Sequence, residues 1–418
     1  MSSGAQSEAV LIHLSGHDEP GLTAELTGIL AKHKAGILDI GQAVVHETLA
    51  LGMLIEIPAG SEFTPLRAEL QARAHELGLQ VRFRKIPAGS LRHWMQGQRQ
   101  DHFIVTVLGW SITAEQLARV TAILARHEMN VDRIERLSDW LNGRLTGEAC
   151  PANACVELCV SGDAAKEAAM RAEFLTAAQE LSVDIAFQRE SIYRRNRRLM
   201  VFDMDSTLIQ GEVIDELAKL AGVADEVVKI TEAAMRGEID FNQSFTRRVG
   251  LLKGLPEEKV YSLLDRIPLA DGAERLMRTL RMLGYKTAIL SGGFMFFARR
   301  LQERLGIDFI HANELEIEDG MVTGRVTGPI VNGARKAELL KEIAEREGVS
   351  LDQAVAVGDG ANDIPMLSLA GMGIAYRAKP VVRQKASQSI SCLGLDGLLY
   401  LIGVRDRDLA AHEARAAD

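Results

Sequence analysis

The feature that most restricts this chain is an internal repeat. Residues 29–40 read ILAKHKAGILDI and residues 123–134 read ILARHEMNVDRI, with Ile29/Ile123, Leu30/Leu124, Ala31/Ala125, His33/His127 and Ile40/Ile134 identical. A repeat at this spacing means that two related modules follow one another, so the first half cannot be a single continuous domain. Around the first copy an apolar strand (10–14) meets a helix entry at Gly21 and Leu22, and the helix runs to about Lys34. Alternating segments near 37–46 and 50–57, a helix near 65–77 and a strand near 80–86 complete the order βαββαβ. The second copy repeats it from Phe103 to about Phe187, with an extra DWLNGRLTGEACP segment at 139–151 that is expected to be a surface loop. His33 and His127 hold matching helix positions, which favours a structural role over a catalytic one.

The stretch RESIYRRNRR, residues 189–198, separates the repeats from a different texture. It is expected to be a solvated linker. The chain as a whole carries a net charge of −9, and no aromatic-interleaved basic pattern accompanies these arginines, so a nucleic-acid surface is not expected. From Leu199 onward, short aliphatic runs that end in Gly or Asp (LMVFD, KTAILSGG, AVAVGDG, GIAY) alternate with helical patterns, as in a parallel sheet with crossover helices. About eighty residues separate the first two of those strands. The helix-patterned 210–270 region therefore reads as an insertion that overhangs the carboxyl ends of the sheet, where ligands bind. Residues 405–418 are expected to be a frayed helix or disordered.

Four cysteines in 418 residues cannot form a disulfide framework, and the spacing of Cys150, Cys155 and Cys159 matches no common zinc knuckle. The opening MSSGAQSE lacks the pattern of a signal peptide, and no run approaches eighteen apolar residues. A cytoplasmic protein without membrane association is the expectation.

Four strand ends carry the chemistry. Asp203-Met204-Asp205-Ser206-Thr207 sets two carboxylates two positions apart, on one side of the chain as it leaves the sheet. Such a pair can hold a hard cation, or divide the work between a nucleophile and a proton carrier. Ser291-Gly292-Gly293 offers a hydroxyl and unhindered N–H groups to a phosphate oxyanion. Lys336 precedes an amphipathic helix and can offset phosphate charge. Gly358-Asp359-Gly360-Ala361-Asn362-Asp363 packs two carboxylates and an amide around a compact backbone. Each element has an ordinary reading as a tight turn or a solvated face, but the four together are hard to explain as independent turns.

This constellation resembles the haloacid dehalogenase superfamily of aspartate-nucleophile phosphatases over roughly 199–400, insertion included. The resemblance implies a Rossmann-like α/β core with a helical cap, an aspartyl-phosphate intermediate on Asp203, and Asp205 as acid and base. It implies Mg²⁺ held by Asp203, Asp359 and the backbone carbonyl of Asp205, with Asp363 in the surrounding shell. Ser291, Gly292 and Lys336 would cradle the phosphate, and Asn362 would orient the substrate. In the cap Glu212, Met235, Phe241 and Arg248 stand at the places of substrate-reading residues, which implies O-phosphoserine as substrate: Arg248 for its carboxylate, Glu212 for its ammonium group. A phosphotransferase that passes the phosphoryl group to another alcohol such as homoserine is the alternative within enzymes, and an amino-acid sensor without activity is the alternative outside them.

The repeats resemble ACT domains, ferredoxin-like βαββαβ modules that bind amino acids. Asp18-Glu19-Pro20-Gly21 fits the usual strand-to-helix loop, whereas the second copy has Gly109-Trp110-Ser111-Ile112-Thr113 there. This second resemblance implies a homodimer and L-serine as an effector. The expected domains are 8–88, 101–189 and 197–404.

Overall fold

The computed structural model describes residues 8–87, 90, 100–139 and 153–417. Residues 140–151 of the expected surface loop lie outside the described residues. The chain divides into two compact units, 1–100 and 101–418.

The first unit holds one βαββαβ module. Strands β1 (Glu8–His17), β2 (Gly36–Val45), β3 (Thr48–Ile57) and β4 (Gln80–Ile86) form an antiparallel sheet in the order β2-β3-β1-β4, with helices Leu22–Lys32 and Phe63–Glu76 between them. Alternation along β1 sends Val10, Ile12 and Leu14 into a core with Leu26 and Leu30 of the first helix and Leu66 and Leu70 of the second. Every residue of β2 is exposed.

The second module opens the second unit. Strands β5 (Asp101–Gly109), β6 (Asn130–Arg136), β7 (Ala154–Gly162) and β8 (Asp184–Arg189) take the matching order β6-β7-β5-β8, with helices Ala114–Arg126 and Glu167–Leu181. A Thr113–Gln116 capping box starts the first of these helices. The paired histidines prove structural in both copies: His33 Nε2 lies 2.8 Å from Glu69 Oε2, and His127 Nε2 lies 2.7 Å from Glu173 Oε1, each tying one helix of its module to the other.

The α/β domain is a seven-stranded sheet, β12-β11-β10-β9-β13-β14-β15. Its strands are β9 (Leu199–Phe202), β10 (Lys286–Phe294), β11 (Phe309–Glu318), β12 (Met321–Thr327), β13 (Ala354–Gly358), β14 (Met372–Tyr376) and β15 (Gln388–Ile390). All neighbours pair in parallel except β11 and β12, which form a hairpin. Helices cover both faces, which is why β9, β13 and β14 are buried along their whole length. Helices Val213–Ala221, Ala224–Met235, Phe241–Gly250 and Glu257–Tyr261 fall inside the expected insertion after β9. The end of the chain is more ordered than the sequence suggests: residues Asp406–Ala417 are helical, and Asp406 accepts hydrogen bonds from Tyr400 and Arg275. No helix among the described residues is long and apolar enough to cross a membrane.

The arginine stretch is not a solvated linker. Arg194 is buried and pairs with the buried Glu157 of β7, while Arg197 is buried and donates to the carbonyl of Asp352 ahead of β13. The second module is in fact joined to the α/β domain through a shared interior: Leu108, Leu137, Cys155 and Ala186 belong to the same apolar cluster as Met200, Ile374 and Leu401. Gln388, at the start of β15, completes the join. Its side-chain amide donates to the carbonyl of Phe187 and accepts from the N–H of the same residue, both at 2.9 Å, so a side chain does the work of a strand neighbour beside β8.

Candidate active site

The site begins where β9 runs out of apolar residues. Leu199 to Phe202 are fully buried, and the Asp203 N–H still pairs with the carbonyl of Val357 at 2.9 Å, so the sheet itself fixes the first carboxylate. The chain then turns sharply. Ser206 adopts a left-handed φ of 55°, and the N–H groups of Leu208 and Ile209 converge on the Met204 carbonyl. This turn sends Asp205 toward the cap, where its Oδ1 accepts the N–H of Val213 at 2.8 Å, the first residue of a cap helix.

The opposite wall comes from β10. Ser291 is buried, and its Oγ accepts the Gly293 N–H at 2.9 Å. The two glycines are required by space. A Cβ at Gly293 would lie 2.2 Å from Asp205 Oδ2, and one at Gly292 would lie 2.8 Å from the Phe241 ring. Asn313 holds this loop in place: its Nδ2 donates to the Gly292 carbonyl at 2.8 Å, and its Oδ1 accepts from Val331 at 2.9 Å.

Lys336 lies beneath the carboxylates, fully buried, with Nζ 2.9 Å from Asp203 Oδ1 and 2.7 Å from Asp363 Oδ1. The Gly360 N–H takes the other oxygen of Asp363 at 2.9 Å. Asp359 is less committed; Thr207 Oγ1 stands 3.5 Å away. Ligand atoms of Asp203, Asp359 and Asp363 lie within 4.8 Å of one another, which suits a hard divalent cation. The electrostatics agree. Burial, reinforced by Asp203 and Asp363, pushes Asp359 up to about 8, a strain on like charges that a cation would relieve. Because both oxygens of Asp363 are already engaged, its arrangement fits a residue that steadies Lys336 and the 358–363 turn. The Asp205 carboxyl is raised well above the usual range by burial and then by Glu212, so it is poised to carry a proton.

The carboxylates open onto a cavity of about 800 Å³ roofed by the cap. Glu212, Met235, Phe241, Arg248, Gly292 and Asn362 all line it, so the sequence-predicted substrate residues converge; Ser291 and Lys336 stand just behind the surface. Phe241 stacks on Phe245, with ring centroids 6.1 Å apart. Arg248 has its Nε buried without a hydrogen-bond partner, and Glu212 and Asp215 supply the opposing charge. A half-buried guanidinium left this way is ready for an anionic ligand. The sequence reading included Thr207 in the first motif without giving it a role, and it missed Asn313 and Lys379. Asn313 had a signal, an Asn inside an otherwise strand-like run. Lys379 follows β14, lines the cavity and reaches Met235 Sδ at 3.5 Å.

A parallel α/β core, a cap and acidic strand ends around a buried lysine define a haloacid dehalogenase-type hydrolase, and residues 198–371 match the haloacid dehalogenase-like hydrolase family. Residues 8–84 and 101–188 each match ACT domains. The chain is 42% identical to a phosphoserine phosphatase of Streptomyces coelicolor, covering 100% of this chain and 98% of that protein. A phosphoserine phosphatase of Mycobacterium tuberculosis is 40% identical, with 97% and 96% covered. Among solved structures, a probable phosphoserine phosphatase from Vibrio cholerae superposes with a TM-score of 0.57 at 35% identity, covering 73% of this chain and 87% of that one. This chain belongs to the phosphoserine phosphatase family, and it is a phosphoric monoester hydrolase.

Proposed function

We propose that the chain hydrolyses O-phospho-L-serine to L-serine and inorganic phosphate through an aspartyl phosphate on Asp203, as the last step of serine biosynthesis. The observation that carries this reading is the cavity itself. A buried nucleophile and proton carrier stand at its floor, while Arg248 and Glu212 offer one cation and one anion to the two charged ends of an amino acid. In the first step an Asp203 oxygen bonds to phosphorus, the bond from phosphorus to the serine oxygen breaks, and Asp205 gives its proton to that oxygen. In the second step a water loses its proton to Asp205 and attacks phosphorus, which releases phosphate and restores Asp203. Asp203, Asp359 and the carbonyl of Asp205 would hold Mg²⁺, whose contribution when bound is to neutralise charge on the phosphate oxygens. Ser291, the Gly292 N–H and Lys336 orient the phosphate, Asn362 orients the substrate, and Phe241 and Met235 exclude water when the cap closes.

L-serine as an effector of the ACT modules and a homodimer belong to the same reading. What supports the dimer is β2, an edge strand whose Ile37, Leu38, Ile40, Val44 and Val45 are all exposed.

The test is phosphate release from phosphoserine, with Mg²⁺ present or chelated, for the wild type, Asp203→Asn and Arg248→Ala. Chelation and Asp203→Asn should each abolish turnover. Arg248→Ala should lower kcat/KM on phosphoserine by about a hundredfold, as expected for a lost charge-assisted contact, and far less on an aryl phosphate. Equal losses on both substrates would refute the cap assignment.

A further inference from the structure

Within the 101–418 unit a second cavity, of about 410 Å³, opens at the end of the α/β sheet opposite to the active site. The residues just before or at the starts of β9, β13, β14 and β15 contribute Arg197, Asp352, Met372 and Gln388, and the second ACT module contributes Arg171 and Arg189.

Arg197 sets this cavity apart from a surface crevice. The residue is only 7% exposed. One of its terminal nitrogens donates to a neutral acceptor, the Asp352 carbonyl, and its Nε is buried with no partner. Burial lowers its pKa, with Tyr285 and Asp352 acting in the opposite sense. Space has been left for it: a Cβ on Gly371 would stand 2.5 Å from its Nη1 and 2.4 Å from the Asp352 carbonyl oxygen. Arg171 and Arg189 extend the cationic wall and share one carboxylate, Glu167, at 3.2 Å and 3.1 Å; Arg171 also donates to the Ser387 carbonyl, and Arg189 lies 3.7 Å from Asp101. Three guanidinium groups thus face two cavity-lining carboxylates, Glu167 and Asp352. A buried charge without a formal partner is costly, and a guanidinium fork matches an oxyanion in shape as well as charge.

We propose that this cavity binds a small oxyanion, a phosphate or carboxylate group, held by Arg197 together with Arg171 and Arg189. The site is independent of the catalytic reading, because none of its residues lines the catalytic cavity.

The experiment uses the full chain and selenate. Anomalous diffraction from selenate-soaked crystals should give a peak beside Arg197 as well as one at the active site, and calorimetric titration with selenate should show two classes of site. The double variant Arg171→Gln/Arg189→Gln, which spares the buried Arg197, should weaken the second class at least about tenfold, the order expected for lost charge-assisted bonds. Glu167→Gln frees both arginines and should tighten that class, a gain that misfolding cannot imitate. Displacement of selenate by inorganic phosphate alone assigns a phosphate ligand, and displacement by acetate assigns a carboxylate. No peak beside Arg197 when the active site is filled, no displacement by either anion, or unchanged affinity in Glu167→Gln would overturn the proposal.

Discussion

The two ACT modules have the same element order and sheet topology, and both fasten their helices with a His–Glu contact, yet they use their sheets in opposite ways. In the first, β1 buries Val10, Ile12 and Leu14 against the helices, while on its other face Leu11 is half-buried and His13 and Ser15 are exposed. In the second, β5 buries Phe103, Val105 and Val107 against the helices and also Ile104, Thr106 and Leu108 on the other face. The second sheet has become an inner layer of the hydrolase. A shared fold therefore does not set what a module is for, and the outer face of the sheet is where the two copies have diverged.

Truncation is the strongest way to break this comparison. A chain that starts at Asp101 should keep phosphatase activity and the unfolding transition of the 101–418 unit. One that starts at Arg197 strips the cover from Met200, Ile374 and Leu401, so it should fail to fold, since net stability is only about 5–15 kcal/mol. Comparable stability of the two truncated chains would end the distinction between the modules. Serine can be titrated into the Asp101 chain and the full chain in the same experiment. A several-fold weaker inhibition of the shorter chain would place the effector site in the first module, whereas equal inhibition would leave serine either at the second module or at the active site as a competing product.

The next effect concerns the Glu157–Arg194 pair, buried on both sides. Glu157→Leu leaves an unpaired guanidinium in the interior and should cost about 3–5 kcal/mol, most of it recovered in Glu157→Leu/Arg194→Met. In the first module, Arg73→Gln breaks an exposed pair with Glu25 and should be too weak to resolve by denaturant unfolding. Equal effects at the two places would contradict the burial contrast.

The mildest test is one of pH. Asp184, at the start of β8, accepts the N–H groups of Ser391 and Cys392 at 2.8 Å each. Burial lifts its carboxyl to about 6 from an ordinary 3.8, against the pull of those N–H groups and of Arg383. Between those values the folded state keeps a proton that the unfolded chain has released, so this group's contribution to stability falls as pH rises from about 4 to about 6 and is level above that. Asp184→Asn should remove that slope, worth up to about 3 kcal/mol, in denaturant midpoints measured across the window. An identical slope in both proteins would show that Asp184 does not titrate at the join.

These contrasts also mark what could be read from the sequence. The strand-end motifs were legible because phosphoryl chemistry concentrates charge at a few turns, where Asp203, Ser291, Lys336 and Asp359 stand in fixed order. The fused second module was harder to see, although FIVTVL and ACVELCV, nearly continuous apolar runs, are the pattern of strands covered on both faces. The arginines of 189–198 misled because charge density suggests solvent, while Glu157, the partner of Arg194, lies 37 positions earlier on β7. Asn313 stood out within its strand-like run, but its partners Gly292 and Val331 lie in other segments, and for Lys379 local pattern carries no record of the contact at all.

The shared interior also has a consequence in time. The first module can close its core as soon as β4 leaves the ribosome. The second has its last strand at Arg189, but β15, which completes the join beside it, begins at Gln388, about two hundred residues later. At about 5–20 residues per second, a nascent chain would display that unfinished apolar sheet for roughly 10–40 s before its cover is made. The stretch between those two strands is therefore the interval of synthesis in which a holding chaperone has most to protect.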